Sequence, residues 1–167
     1  ADITPERAKE LLAEGNRRFC ARKTITRDLL AEADQTKGGQ SPFAVILSCI
    51  DSRVPVEMVF DQGIGDIFSA RVAGNCVNND LIGSIEFATK IAGSKLVVVL
   101  GHSHCGAVKG ACDDVQLGHV SGLLALIKPA VEAVVDPTDP ALRTSANPTF
   151  VQAVVERNVD VAVDALR

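Results

Sequence analysis

The sequence predicts an open, doubly wound α/β fold: a mainly parallel sheet flanked by helices, the strands present running in the order 2-1-3. Three observations predict it. Apolar runs of strand length at 43–48, 67–72 and 95–100 alternate with segments whose apolar residues recur at helical spacing. The third run, Lys95-Leu-Val-Val-Val-Leu100, has the low polarity of a strand buried on both faces, as in a parallel sheet. The first and third runs end abruptly in residues that bind metal or carry charge, Cys49, Asp51 and Arg53 after one, His102 and Cys105 after the other. In open α/β sheets ligands sit beyond the carboxyl ends of strands where the strand order reverses. Setting strands one and three side by side therefore assembles both half-sites.

Taken in order, Thr4-Pro-Glu-Arg reads as an N-cap with proline at the first helical position and an acid in the first turn. Ala8, Leu11, Leu12, Gly15 and Phe19 then give an amphipathic helix to about Arg22. A second helix is predicted from Thr26 to Lys37, with Ile25, Leu29, Leu30 and Ala33 apolar, and Gly38-Gly39 breaks it before the first strand. A short helix near Pro55 leads to the second strand, Ile67 to Val72. After a loop at 73–79, Asn78 or Asn79 caps a helix carrying Leu81, Ile82, Ile85 and Ala88. Beyond the third strand, 106–112 continues as helix. His119 to Val135 supplies another helix, with Leu123, Leu124, Ile127 and Val131 inward and a kink or break at Pro129. Proline-rich 136–148 is the one linker-like stretch, and Thr149 to Arg167 forms a final helix with Phe150, Val154, Val155, Val159 and Val163 inward.

The length, 167 residues, suits one domain with a real core, and a chain that is 47% hydrophobic but 4% aromatic must build that core from Val, Ile, Leu and Ala. A net charge of −4 argues against a nucleic-acid or anionic-membrane partner, and no apolar run approaches the length of a membrane span. Five cysteines do not read as a disulfide framework. Their usage fits a reducing compartment, the cytoplasm. A bacterial periplasm after removal of a signal peptide is the alternative, since bound metal would itself shield Cys49 and Cys105. Cys20, Cys76 and Cys112 are expected to be buried thiols.

The motif chemistry points to zinc, because thiolate and imidazole together favour it among common metals, with four protein ligands or three plus water. His102 and Cys105 share a face if the chain turns helical after the strand; Cys49 and Asp51, at i and i+2, point one way in an extended segment. Asp51 and Arg53 repeat that spacing and suit a charge-assisted pair. A lone cysteine beside a strand is ordinarily a small buried hydrophobe; two half-sites at two strand ends are far less frequent by chance.

Cys-Ile-Asp-Ser-Arg-Val-Pro at 49–55 followed by Gly-His-Ser-His-Cys-Gly at 101–106 resembles the signature of the β-class carbonic anhydrases. The segments 65–75 and 84–88 match in type and order, so the resemblance runs from about Ala8 to about Ala133. It implies zinc on Cys49, His102 and Cys105, and reversible hydration of carbon dioxide to bicarbonate by a zinc-bound hydroxide that the Asp51–Arg53 pair orients. Asp51 alternatively closes the site as a fourth ligand. Ile46 stands where a bicarbonate-regulated variant of the family carries Trp, which favours the open form. The resemblance further implies a substrate pocket of Gln40, Phe68, Phe87 and the Gly106 backbone, Gln40 reaching across a dimer whose partner the N-terminal helices clasp. Without the family, each Phe would read as ordinary core. His104 is a candidate proton shuttle or an exposed helix residue, and His119 is structural or superficial. A homodimer or higher even oligomer is expected, as is a single domain over 1–167 lacking the family's C-terminal strands, which nothing after Val163 supplies. Two other functions fit the same residues: a zinc hydrolase of carbon disulfide or carbonyl sulfide, and a catalytically silent zinc-stabilised domain with Asp51 closing the tetrahedron.

Overall fold

The central strand is β1, Ala44–Ser48, and every one of its residues is buried. In the computed structural model, which describes residues 3–167, it lies between β2, Ile67–Arg71, and β3, Leu96–Leu100, in a parallel sheet of order β2-β1-β3. That is the order expected from the sequence. The β3 expectation of burial on both faces fails, because all five residues are only half-buried. The reason is position: β3 is an edge of the described sheet and only β1 has a neighbour on each side.

The chain divides into two compact units, the first comprising 1–47, 52–70 and 79–98 and the second 48–51, 71–78 and 99–167. In the first unit, α1 spans Pro5–Cys20 behind Thr4, whose hydroxyl accepts from the Arg7 amide. Its buried stripe is Ala8, Leu12 and Gly15. Gly15 is required by close approach, since a Cβ there would stand 1.7 Å from the Phe60 carbonyl oxygen. Phe19, in phase with the stripe but in the last turn, is 40% exposed, and Cys20, beyond it, is exposed rather than buried. Helix α2, Leu29–Thr36, starts three residues later than predicted because the Asp28 carboxylate caps it through the Ala31 amide. It buries none of its residues. Next come α3, Val56–Val59, and α4, Asn79–Glu86, which runs on into a wider helical turn at Phe87–Ile91.

The loop between α1 and α2 is held by Asp61, which is 5% exposed. Its carboxylate accepts from Arg18 Nε at 2.5 Å and from the Ile25 amide, while its carbonyl accepts from Arg27 Nη2 at 2.8 Å. Burial alone would raise this carboxyl, but the hydrogen bonds from Arg18 and Ile25 and the charges of Arg18 and Arg27 outweigh it and hold it below the ordinary carboxylate range. A carboxylate depressed in the folded state contributes stability above its unfolded value, about pH 3.9, and loses it as pH falls through the lower folded value. Asp61→Asn is therefore expected to cost about 1–2 kcal/mol at pH 7. Urea midpoints of the two proteins should converge as the pH is lowered toward 3; a gap that does not narrow contradicts this role.

The second unit is helical around its own core. It contains α5, Gly106–Cys112, α6, Gly118–Ala125, α7, Lys128–Ala133, and α8, Pro148–Ala165. The predicted long helix through Pro129 is broken, and the proline sits in the first turn of α7, where its missing N–H costs nothing. Phe150, Val154, Val155, Ile127 and Val131 meet Cys49, Cys76 and Cys105 in one buried cluster. Of the residues expected inward on α8, Val159 and Val163 are only half-buried, and Asn158 and Ala162 take the buried positions instead. None of the helices is long and apolar enough to cross a membrane, among the described residues.

Candidate metal centre

The carboxyl ends of all three strands belong to the second unit, and they carry the donors. β1 ends at Ser48 and is followed directly by Cys49 and Asp51; β3 ends at Leu100 and is followed by His102 and Cys105. Adjacent strands in the sheet thus bring together residues far apart in sequence. One ligand atom each from Cys49, His102 and Cys105 lies within 4.8 Å of the others, and the two sulfurs are 4.0 Å apart. Tetrahedral zinc with sulfur at about 2.3 Å asks for a separation of about 3.8 Å.

The turn that presents His102 and Cys105 is not helical, as the i, i+3 spacing had suggested. His104 adopts a left-handed conformation, φ 56°, which reverses the chain, and Cys105 becomes the N-cap of α5. His102 Nδ1 donates to the Ser103 carbonyl at 2.9 Å. A carbonyl only accepts, so in the neutral ring the proton is on Nδ1 and the lone pair is on Nε2. That Nε2 is buried without a hydrogen-bond partner. A ring with an orphaned buried nitrogen, clustered with two buried thiols, fits a soft divalent cation such as zinc, which would use all three donors.

Asp51 approaches from the side of His102, its Oδ2 3.9 Å from Nε2. The neighbouring backbone is clamped by Arg71, whose Nε donates to the Cys49 carbonyl at 2.9 Å and whose Nη2 donates to the Asp51 carbonyl at 2.6 Å. Burial pushes the Cys105 thiol up, and the Cys49 sulfur adds to this, against the amides of Ala107 and Val108. A metal held there would have to displace that proton, so its affinity would rise with pH. Cys76, buried nearby, is pushed up to about 12, first by burial and then by the Cys105 and Cys49 sulfurs. Cys112 is half-buried and pushed up to about 11 by burial.

The other residues singled out in the sequence divide between the units. Gly106 opens α5 beside Cys105. His104 lies exposed at a shallow groove with Thr149, Gln152 and Glu156. In the first unit, Arg53 and Gln40 are exposed, Gln40 beside the Gly38-Gly39 turn. Phe68 and Phe87 meet edge to face with centroids 6.5 Å apart, Phe87 being 54% exposed. Sequence reasoning left Arg71 and Asn158 without roles. Asn158 carries a readable signal, a polar residue in helical phase with Val151, Val154 and Val155; such a residue on a buried face needs a partner.

A sequence profile described as carbonic anhydrase matches residues 44–167. The chain belongs to the β-carbonic anhydrase family. It is 41% identical over 134 residues to carbonic anhydrase 2 of Mycobacterium tuberculosis, covering 80% of this chain and 64% of that protein. It is 42% identical over 118 residues to a carbonic anhydrase of Mycolicibacterium smegmatis, covering 70% and 57%. The chain thus spans less than two thirds of the length of these relatives. It is also 32% identical over 107 residues to a carbon disulfide hydrolase of an Acidianus species, covering 64% and 50%. Among solved structures, the β-carbonic anhydrase CafA of Aspergillus fumigatus superimposes with a TM-score of 0.73 at 25% identity, covering 95% of this β-carbonic-anhydrase-family chain and 74% of CafA.

Proposed function

We propose that the chain holds one zinc ion on Cys49, His102 and Cys105 and interconverts carbon dioxide and bicarbonate. The observation that carries this is the clustering of His102, whose buried Nε2 has no hydrogen-bond partner, with two buried thiols in a carbonic anhydrase family member. When bound, the ion supplies Lewis acidity, which makes water nucleophilic near neutral pH. The residues do the rest. Water oxygen forms a bond to the carbon of carbon dioxide and its proton passes to solvent, while an Asp51 carboxylate oxygen accepts a hydrogen bond that orients the attacking oxygen. Arg53 is the proposed partner that keeps Asp51 turned to accept that hydrogen bond rather than to ligate metal. Gln40, Phe68, Phe87 and the Gly106 backbone are the proposed carbon dioxide site, with Gln40 contributed by a second subunit.

Likeness to a carbon disulfide hydrolase supports a second reading, hydrolysis of carbon disulfide or carbonyl sulfide at the same residues. Incubating the zinc-loaded protein with each substrate separates the two. Proton release from carbon dioxide with no sulfide from carbon disulfide supports the first reading; sulfide release without carbon dioxide turnover replaces it with the second.

Self-association is the proposed assembly. The first unit exposes Ile25, Leu29, Leu30, Met58 and Ile64, four of them around a groove of about 830 Å³, while α2 buries nothing in this chain. Such a patch is larger than isolated surface apolar residues require. Sedimentation should give a dimer or larger even species, and Leu30→Glu should shift it to monomer. A monomeric parent protein would overturn the proposal.

A further inference from the structure

Beyond the three ligands, the second unit contains a chain of contacts from α8 to the sulfur of Cys49. Asn158 is 2% exposed, the one polar residue on the buried face of α8. Its Nδ2 donates to the Gly74 carbonyl at 2.7 Å. The Gly74 amide in turn donates to Cys49 Sγ at 3.3 Å. Gly74 sits in the left-handed region, φ 70° and ψ 18°, and a Cβ there would stand 2.6 Å from Ile127 Cδ1. Only glycine takes this conformation freely in this space. Glycine alone, however, does not hold one conformation, and a backbone able to swing would not keep its amide on the sulfur. The Asn158 side chain supplies what is missing, by tethering the peptide that follows Gly74 and so fixing the orientation of the one before it.

We infer that Asn158 is a positioning residue for the metal centre, aiming the Gly74 N–H at the Cys49 thiolate and tuning how strongly that sulfur donates to metal. A hydrogen bond to a metal-bound thiolate draws charge from the sulfur and fixes its direction, and such outer contacts typically change metal affinity by about 10–100-fold. The role rests on the proposed metal site, and it makes Asn158 part of that site although it touches neither metal nor substrate. An ordinary buried asparagine would merely satisfy a carbonyl.

The test uses the whole chain loaded with cadmium-113, a soft ion suited to thiolates. In the isotopically labelled parent protein, a scalar coupling between the Gly74 amide proton and cadmium is expected, together with a coupling from Asn158 Nδ2 to the Gly74 carbonyl carbon. Absence of either overturns the inference without any variant. Asn158→Leu, which keeps the branched shape and removes the donor, should lose the cadmium coupling and weaken zinc about tenfold or more in chelator competition; Asn158→Ala serves the same purpose should Leu prevent folding. Val56→Ala, a fully buried site outside the cluster that holds the ligands, should lower stability while leaving coupling and affinity intact. An Asn158 variant that behaves like Val56→Ala refutes the positioning role. A parent protein that binds neither ion refutes the metal site itself, which is a separate outcome.

Discussion

Cys105→Ala should lose zinc affinity by several orders of magnitude and, with it, all turnover of carbon dioxide. Cys105 supplies one of three donors from a position fixed by the start of α5, and nothing on that turn replaces it, since His104 points the chain away through its left-handed backbone. Two donors left of three no longer close a tetrahedral shell around zinc. Cys105 is 1% exposed, so the substitution also removes a buried sulfur from the cluster formed with Val108, Ile127 and Val154. Its cost to folding is about 1–2 kcal/mol at most, for a small cavity. Equilibrium dialysis against a chelator measures the affinity, and circular dichroism separates loss of metal from loss of fold. A folded Cys105→Ala protein that still retains zinc at near-parental affinity would remove Cys105 from the site.

The second large effect concerns Asp51. Asp51→Asn should lower kcat/KM for carbon dioxide by about 100-fold or more, the range typical of misplacing the attacking group, while leaving zinc affinity within a few-fold. This outcome follows if Asp51 works beside the three-residue cluster, where its Oδ2 stands 3.9 Å from His102 Nε2, as an acceptor of hydrogen bonds. Were Asp51 instead the fourth ligand in the working form, the same substitution would weaken zinc binding and raise activity by opening the site. Measuring affinity and turnover on one preparation distinguishes these directions.

Much of this architecture was legible in the residues. The apolar run ending at Ser48 announced a buried strand, and β1 is buried throughout because it has a strand on either side. The Thr4 side chain caps α1 through a local hydrogen bond, which sequence can disclose because the partner is three residues away. What stayed hidden depends on contacts between distant segments. Lys95-Leu-Val-Val-Val-Leu100 reads like β1, yet β3 is half-exposed because it lies at an edge, a matter of strand order rather than composition. Asp61 looks like a loop acid until Arg18, Ile25 and Arg27 converge on it from another segment. Cys20 reads as another buried thiol, yet five residues past Gly15 it lies about 140° around the helix from the stripe of Ala8, Leu12 and Gly15.

The candidate site shows the same division. Cys49, His102 and Cys105 stand out by residue type and by their place after strands, whereas the groups that orient them do not. Arg71 acts through backbone carbonyls of Cys49 and Asp51, and Asn158 acts through Gly74, 84 positions away. Neither residue type announces a metal site. Their roles exist only once the chain has folded.

The most direct measurement of the central claim is a zinc titration of the metal-free chain, with carbon dioxide hydration followed by stopped flow at each addition. The account predicts negligible activity without zinc, a linear rise to one equivalent per chain, and no further gain beyond it. Full zinc occupancy with no hydration, or hydration that does not depend on zinc, would contradict it.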